Sequence, residues 1–306
     1  MTPRAWTRQV SNDYGSVTIM PSEAVGGICP TWEDLGNVLH TALIAATETA
    51  PKMVMAAMTA LSAQKEAIKK GGPDLDRSAA GVGLMKYFNL DAGAVSKLRY
   101  LQTIDGITRV YGKIMTGFTL YDLVVDSGDS DGLKGWVMRK GAMTKVDTPS
   151  IAKNYSFAFG SDSECVYGAG FERERAGRIH MDMTTLMRTY TAKAKKDMAR
   201  VLVHEASHKW AYATDVLYKV QTFMKGGLVD FTANETSAIM EYQPMIDLPG
   251  KQKTLLPMTG FEKLDPKKHG LKNNLSCDLI QPERWLQNAD SYAWFARSML
   301  KDYFEA

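Results

Sequence analysis

The chain has 306 residues, 45% hydrophobic and 23% charged, with a formal net charge of +3 at pH 7. This composition excludes a disordered or fibrous chain and allows a substantial core. Its basic runs, Lys193 to Lys196 and Lys267 to Lys268, are short and scattered, so no nucleic-acid partner is expected.

In chain order, residues 1–30 show little periodicity and contain Gly26, Gly27 and Pro30, which predicts an irregular N-terminal arm. Thr31 and Asp34 have capping-box spacing, and Leu35, Val38, Leu39, Ala42, Leu43 and Ala46 follow at helical intervals, so a helix is expected to begin there. Pro51 is expected to interrupt it, with a Met-rich continuation (Met53, Met55, Met58) serving as core filler. Further helices are predicted up to about Phe88 and through Val95, Leu98, Leu101, Ile104, Ile107, Val110 and Ile114. From Phe118 short apolar runs take over, at 120–125, 136–138, 155–159, 165–171 and 178–183, and read as a small twisted sheet. The whole predicts one α+β domain over residues 31–306: a helical N-terminal part, a small sheet, and a helix from about Met187 to Trp210.

That last helix carries His204-Glu205-Ala206-Ser207-His208. Two imidazoles one turn apart can present nitrogens to a single Zn²⁺, and the adjacent Glu205 can take a proton from a zinc-bound water. Hydrolysis of an amide is the chemistry implied. Catalytic zinc usually takes a third protein ligand, and Asp215 is the candidate, with Tyr218 as a hydrogen-bond donor to the developing oxyanion. The plainer readings are a turn aspartate and a core tyrosine.

His204 to His208, Asp215 to Tyr218, and Asn288-Ala289-Asp290-Ser291-Tyr292-Ala293-Trp294-Phe295-Ala296 together resemble the aspzincins, the deuterolysin and peptidyl-Lys metalloendopeptidase family. The resemblance implies a zincin-like fold, one Zn²⁺ held by His204, His208 and Asp215, Glu205 as general base, and a protein or peptide substrate. The chain departs from the family pattern at Tyr212, Ala213 and Lys219, which stand where the family has Gly, Thr and Gly. Residues 219–277 read as an insertion, whose Gly226-Gly227, Pro244, Pro249 and Pro257 suggest loops. Lys-specific members have an acidic pocket made by the Asp of the C-terminal motif and a Glu three residues later; here these positions are Asp290 and Ala293. Asp290 therefore either attracts a basic side chain or orients a ligand histidine.

His180 lies in the strand before the zinc helix, a strand that lines the cleft in zincins; the plainer reading is a partly buried strand histidine. His40 and His269 have no second ligand at suitable spacing. Cys29, Cys165 and Cys277 form neither a disulfide framework nor a thiolate zinc site, with one bridge left open. No apolar run is long enough to span a bilayer and no secretory signal is evident. A soluble protein is expected, cytoplasmic or exported by a signal-independent route, the latter as an effector or toxin. The functional expectation is a zinc metalloendopeptidase. Its rivals are a catalytically impaired zincin-fold partner-binding module and a zinc hydrolase of a non-peptide amide.

Overall fold

The computed structural model describes residues 6–71, 78–93, 95–126, 135–137, 178–182, 192–211, 213, 217–219, 231–234, 255–258, 285–286 and 288–300. The N-terminal segment is not irregular. Arg8–Asn12 (β1) and Gly15–Pro21 (β2) pair antiparallel, and Glu23–Ile28 (α1) follows, with Ser22 as N-cap. Val17 and Ile19 point from β2 into the core, which also takes in Trp6 and Val25, so the domain begins before residue 31. Beyond this local hairpin, β2 has a second partner distant in sequence: it runs parallel to Leu120–Asp126 (β3), with Ser16 opposite Leu120. Gly15 sits where the hairpin presses on the start of β3; a Cβ there would lie 2.4 Å from the Thr119 carbonyl oxygen.

The Thr31–Asp34 pair forms as the spacing predicts, with the Asp34 carboxylate accepting from both the amide and the hydroxyl of Thr31. The pair caps no helix: a short 3₁₀ turn, Glu33–Leu35, follows with Trp32 as its N-cap, and the long helix starts at Asn37. That helix, Asn37–Lys69 (α2), runs unbroken through Pro51, contrary to expectation. Proline removes the amide that would pair with the carbonyl four residues back, here that of Thr47. Asn12 replaces the missing donor: its Nδ2 donates to the Thr47 carbonyl at 3.2 Å, while its Oδ1 accepts from the amides of Tyr14 and Gly15 in the hairpin turn. One side chain thus closes the hairpin and satisfies the interrupted helix. Of the methionines, Met53 is fully buried while Met55 is exposed.

Ala79–Phe88 (α3) is capped by Ser78 and ends at Asn89, which adopts the left-handed conformation that suits a helix C-terminus. Lys97–Gly117 (α4) is capped by Ser96 and buries Tyr100, Ile104, Ile107, Val110, Tyr111 and Ile114. Leu98, included in the predicted apolar stripe, is exposed. A strict three-residue step drifts around a helix of 3.6 residues per turn, so Leu98 falls off the buried face while Leu101 still packs partly buried against the core.

The main sheet has five strands in the order β1-β2-β3-β5-β4, where β4 is Gly135–Val137 and β5 is Ile179–Asp182. β2, β3 and β5 are parallel, whereas β4 runs antiparallel to β5 at the edge. The strands expected at 155–159 and 165–171 lie outside the described residues. Leu217–Lys219 (β6), Phe231–Asn234 (β7) and Leu255–Met258 (β8) form a second, antiparallel sheet, so parts of the segment expected as loops are strands paired onto β6. Ala192–Ala211 (α5) is central: it packs on α2, α4, β4 and β5, and on the C-terminal helix Ala289–Met299 (α6). The fold is mixed α+β. Among the described residues no helix is long and apolar enough to cross a membrane.

Candidate metal centre

α5 is held by an apolar face made of Met198, Ala199, Val201, Leu202, Val203 and Ala206, all buried. It packs on α2, whose Ala42, Ala46, Ala50 and Ala57 are also fully buried. At its C-terminal end Trp210 wedges between Phe118 and Tyr121, with ring centroids 5.2 and 5.7 Å away. These contacts leave His204, Glu205 and His208 on the remaining face.

The two imidazoles converge. Their Nε2 atoms lie 3.1 Å apart, with the rings nearly perpendicular at 84°. Each ring is held from behind through Nδ1: that of His208 is 2.6 Å from the Ala213 carbonyl oxygen, and that of His204 is 2.8 Å from Asp290 Oδ1. A carbonyl oxygen can only accept, so His208 carries a proton on Nδ1, and in the neutral ring its Nε2 bears the lone pair. Asp290, as a carboxylate, assigns His204 the same tautomer. Two lone pairs facing each other at this distance repel unless a cation sits between them. Two nitrogens on a tetrahedral zinc, each about 2.0–2.1 Å from the metal, are separated by about 3.3 Å. The pair therefore fits a zinc ion as it stands. Glu205, between the two histidines in sequence, is 4% exposed.

Asp290 reaches His204 because α6 packs across α5. The Asn288–Ala296 motif is almost wholly buried, and hydrogen bonds within the protein tie down its tyrosine, asparagine and serine. Tyr111 donates to the Tyr292 carbonyl at 2.8 Å, Tyr292 donates to that of Leu286 at 2.6 Å, and Asn288 Nδ2 donates to Ser291 Oγ at 3.0 Å. Burial raises the phenols of Tyr111 and Tyr292 far above the ordinary tyrosine range, so both stay protonated donors. Asp290 stands in the first turn of α6, where the helix N-terminus complements its charge.

The other proposed residues fall differently. Asp215 lies outside the described residues. Tyr218 is in β6, opposite Thr232 on β7, and β6 runs close beside α6. His180 sits on β5, where its Nδ1 is 3.2 Å from Asp126 Oδ2; burial lowers its pKa, partly offset by that carboxylate. It is one strand in from the edge, since β4 covers β5. His40 stacks on Trp32 with centroids 4.2 Å apart. Cys29 is a free thiol, and Cys165, Cys277 and His269 lie outside the described residues. Among the described residues no three His, Cys, Asp or Glu side chains converge as a metal site.

Two participants escaped the sequence. Ala213 acts through its carbonyl, which no residue type signals. Arg200 is buried against Asp290 and Trp294; its spacing of four residues before His204 was the available sign. Comparison with protein-family models, with curated proteins and with solved structures gave no match.

Proposed function

We propose that the chain is a zinc-dependent metalloendopeptidase of the aspzincin type on a zincin-like fold, with His204, His208 and Asp215 as ligands. The observation that carries this reading is the pair of Nε2 atoms 3.1 Å apart with both Nδ1 atoms already bonded. Ala213, two residues before Asp215 in sequence, touches His208, and two residues of chain span about 7 Å, which supports Asp215 as the third donor. Bound zinc would supply a Lewis acid that polarises the scissile carbonyl and makes a coordinated water more acidic.

Glu205 is the general base: it takes a proton from the attacking water and delivers it to the leaving amine. Its burial keeps bulk solvent from competing for that proton. Tyr218 donates a hydrogen bond to the carbonyl oxygen as negative charge grows there. β4, antiparallel at the edge of the sheet and packed against α5, offers backbone groups to which a substrate peptide can add as a further strand.

The test is zinc stoichiometry by elemental analysis of the full chain and of His204→Ala, Glu205→Gln and Asp215→Ala, with casein cleavage in parallel. One zinc per wild-type chain, retained in Glu205→Gln and lost in the other two, is expected. Cleavage should fall by about 10²–10⁴-fold in Glu205→Gln. Zinc without cleavage of casein or of a peptide library would leave a partner-binding module or a hydrolase of another amide; a wild type that binds no zinc overturns the reading.

A further inference from the structure

Arg200 takes no part in the reaction above, yet it is a buried charge one turn from a proposed ligand. Its side chain is 10% exposed, and its Nη1 lies 3.3 Å from Asp290 Oδ1. That same oxygen is 2.8 Å from His204 Nδ1. The guanidinium carbon stands 4.6 Å from the centroid of the Trp294 ring. Arg200 and His204 are one turn apart on α5, and Asp290 and Trp294 are one turn apart on α6. The two pairs interlock, with Asp290 bridging the first pair and Arg200 bridging the second.

Burying a guanidinium costs several kcal/mol unless it is paired, so solvation alone does not account for an arginine here. A planar guanidinium can stack on an indole while donating in its own plane to a carboxylate; an ammonium offers no such flat, directional fork. The stack on Trp294 fixes where the donor points, and the donor fixes Asp290. We propose that Arg200 is a positioning residue of the metal centre, holding the Asp290 carboxylate so that its Oδ1 keeps His204 turned with Nε2 toward His208. The same engagement withdraws Asp290 from any basic substrate side chain. This inference rests on the reading of His204 and His208 as zinc ligands.

The experiment measures the affinity of the full chain for zinc alone, by competition with a chromophoric chelator, in Arg200→Met, Arg200→Lys, Asp290→Asn, the Arg200→Met/Asp290→Asn double variant and Arg297→Met. Far-UV circular dichroism checks that each is folded. Groups that orient a metal ligand typically contribute about 10–100-fold to metal affinity. Arg200→Met should lose about that much, Arg200→Lys should not restore it, and the double variant should bind no worse than Asp290→Asn, because Arg200 acts through Asp290. Arg297 also touches the Trp294 ring, at 4.8 Å, so Arg297→Met reports on packing around that ring and should bind zinc like the wild type. Wild-type affinity in Arg200→Met and Arg200→Lys overturns the proposal, as does an equal loss in Arg297→Met or full additivity in the double variant. If Arg200→Met does not fold, Arg200→Lys decides. A wild type without zinc overturns the metal reading itself, a result separate from all of these.

Discussion

Substituting alanine for glycine at two positions of the same helix, α4, should move stability in opposite directions. At Gly117 an added Cβ would lie 2.0, 2.3 and 2.4 Å from Cδ2, Cε2 and Cε3 of Trp210. Carbon atoms in contact sit about 3.5–4.0 Å apart, so the indole would have to retreat by about 1.5 Å. That movement would break its packing against Phe118 and Tyr121. Overpacking of this kind costs about 1–3 kcal/mol, and each aromatic pair lost adds about 0.5–1.5 kcal/mol. The better helix propensity of alanine returns only about 1 kcal/mol. Gly117→Ala should therefore destabilise by about 2 kcal/mol. At Gly112 nothing lies within 4 Å of the added Cβ, so Gly112→Ala should stabilise by about 0.5–1 kcal/mol. Urea unfolding followed by far-UV circular dichroism measures both, and tryptophan fluorescence reports any movement of Trp210. A Gly117→Ala protein as stable as Gly112→Ala would refute the close contact between α4 and the C-terminal end of α5.

Removing the Asn12 donor should cost about 1–2 kcal/mol, because the Thr47 carbonyl is left without its partner. Asn12→Ala should cost less in a Pro51→Ala background, where the restored amide can serve Thr47; equal costs in the two backgrounds would show that Asn12 does not compensate for Pro51. For His180, burial lowers the folded-state pKa below the ordinary histidine value of 6.5. The unfolded chain then binds the proton more readily, so stability should fall as pH drops below about 6.5. His180→Asn should flatten that part of the stability profile measured by urea unfolding between pH 5 and 8, and an unchanged slope would remove His180 as its source.

The sequence by itself determined whatever depends on neighbours within a few residues. The turn of an α-helix puts His204 and His208 on one face, Ser78 and Ser96 cap the helices they precede, and Thr31 finds Asp34. Only the tertiary structure decided what depends on partners remote in sequence. A strand's partner leaves no mark on the strand itself, so nothing in β2 announced that β3 would come alongside. Pro51 was read as a break because local sequence shows the missing amide and not the Asn12 side chain that replaces it. A lone charge on a helix gives no local sign of burial, and only Asp290 and Trp294, on a helix about ninety residues further on, make the burial of Arg200 affordable. The ligand candidates were legible because metal-binding chemistry is written in residue type and helical spacing. What aims them, a backbone carbonyl on one side and a carboxylate held by an arginine on the other, exists only once the chain has folded back on itself.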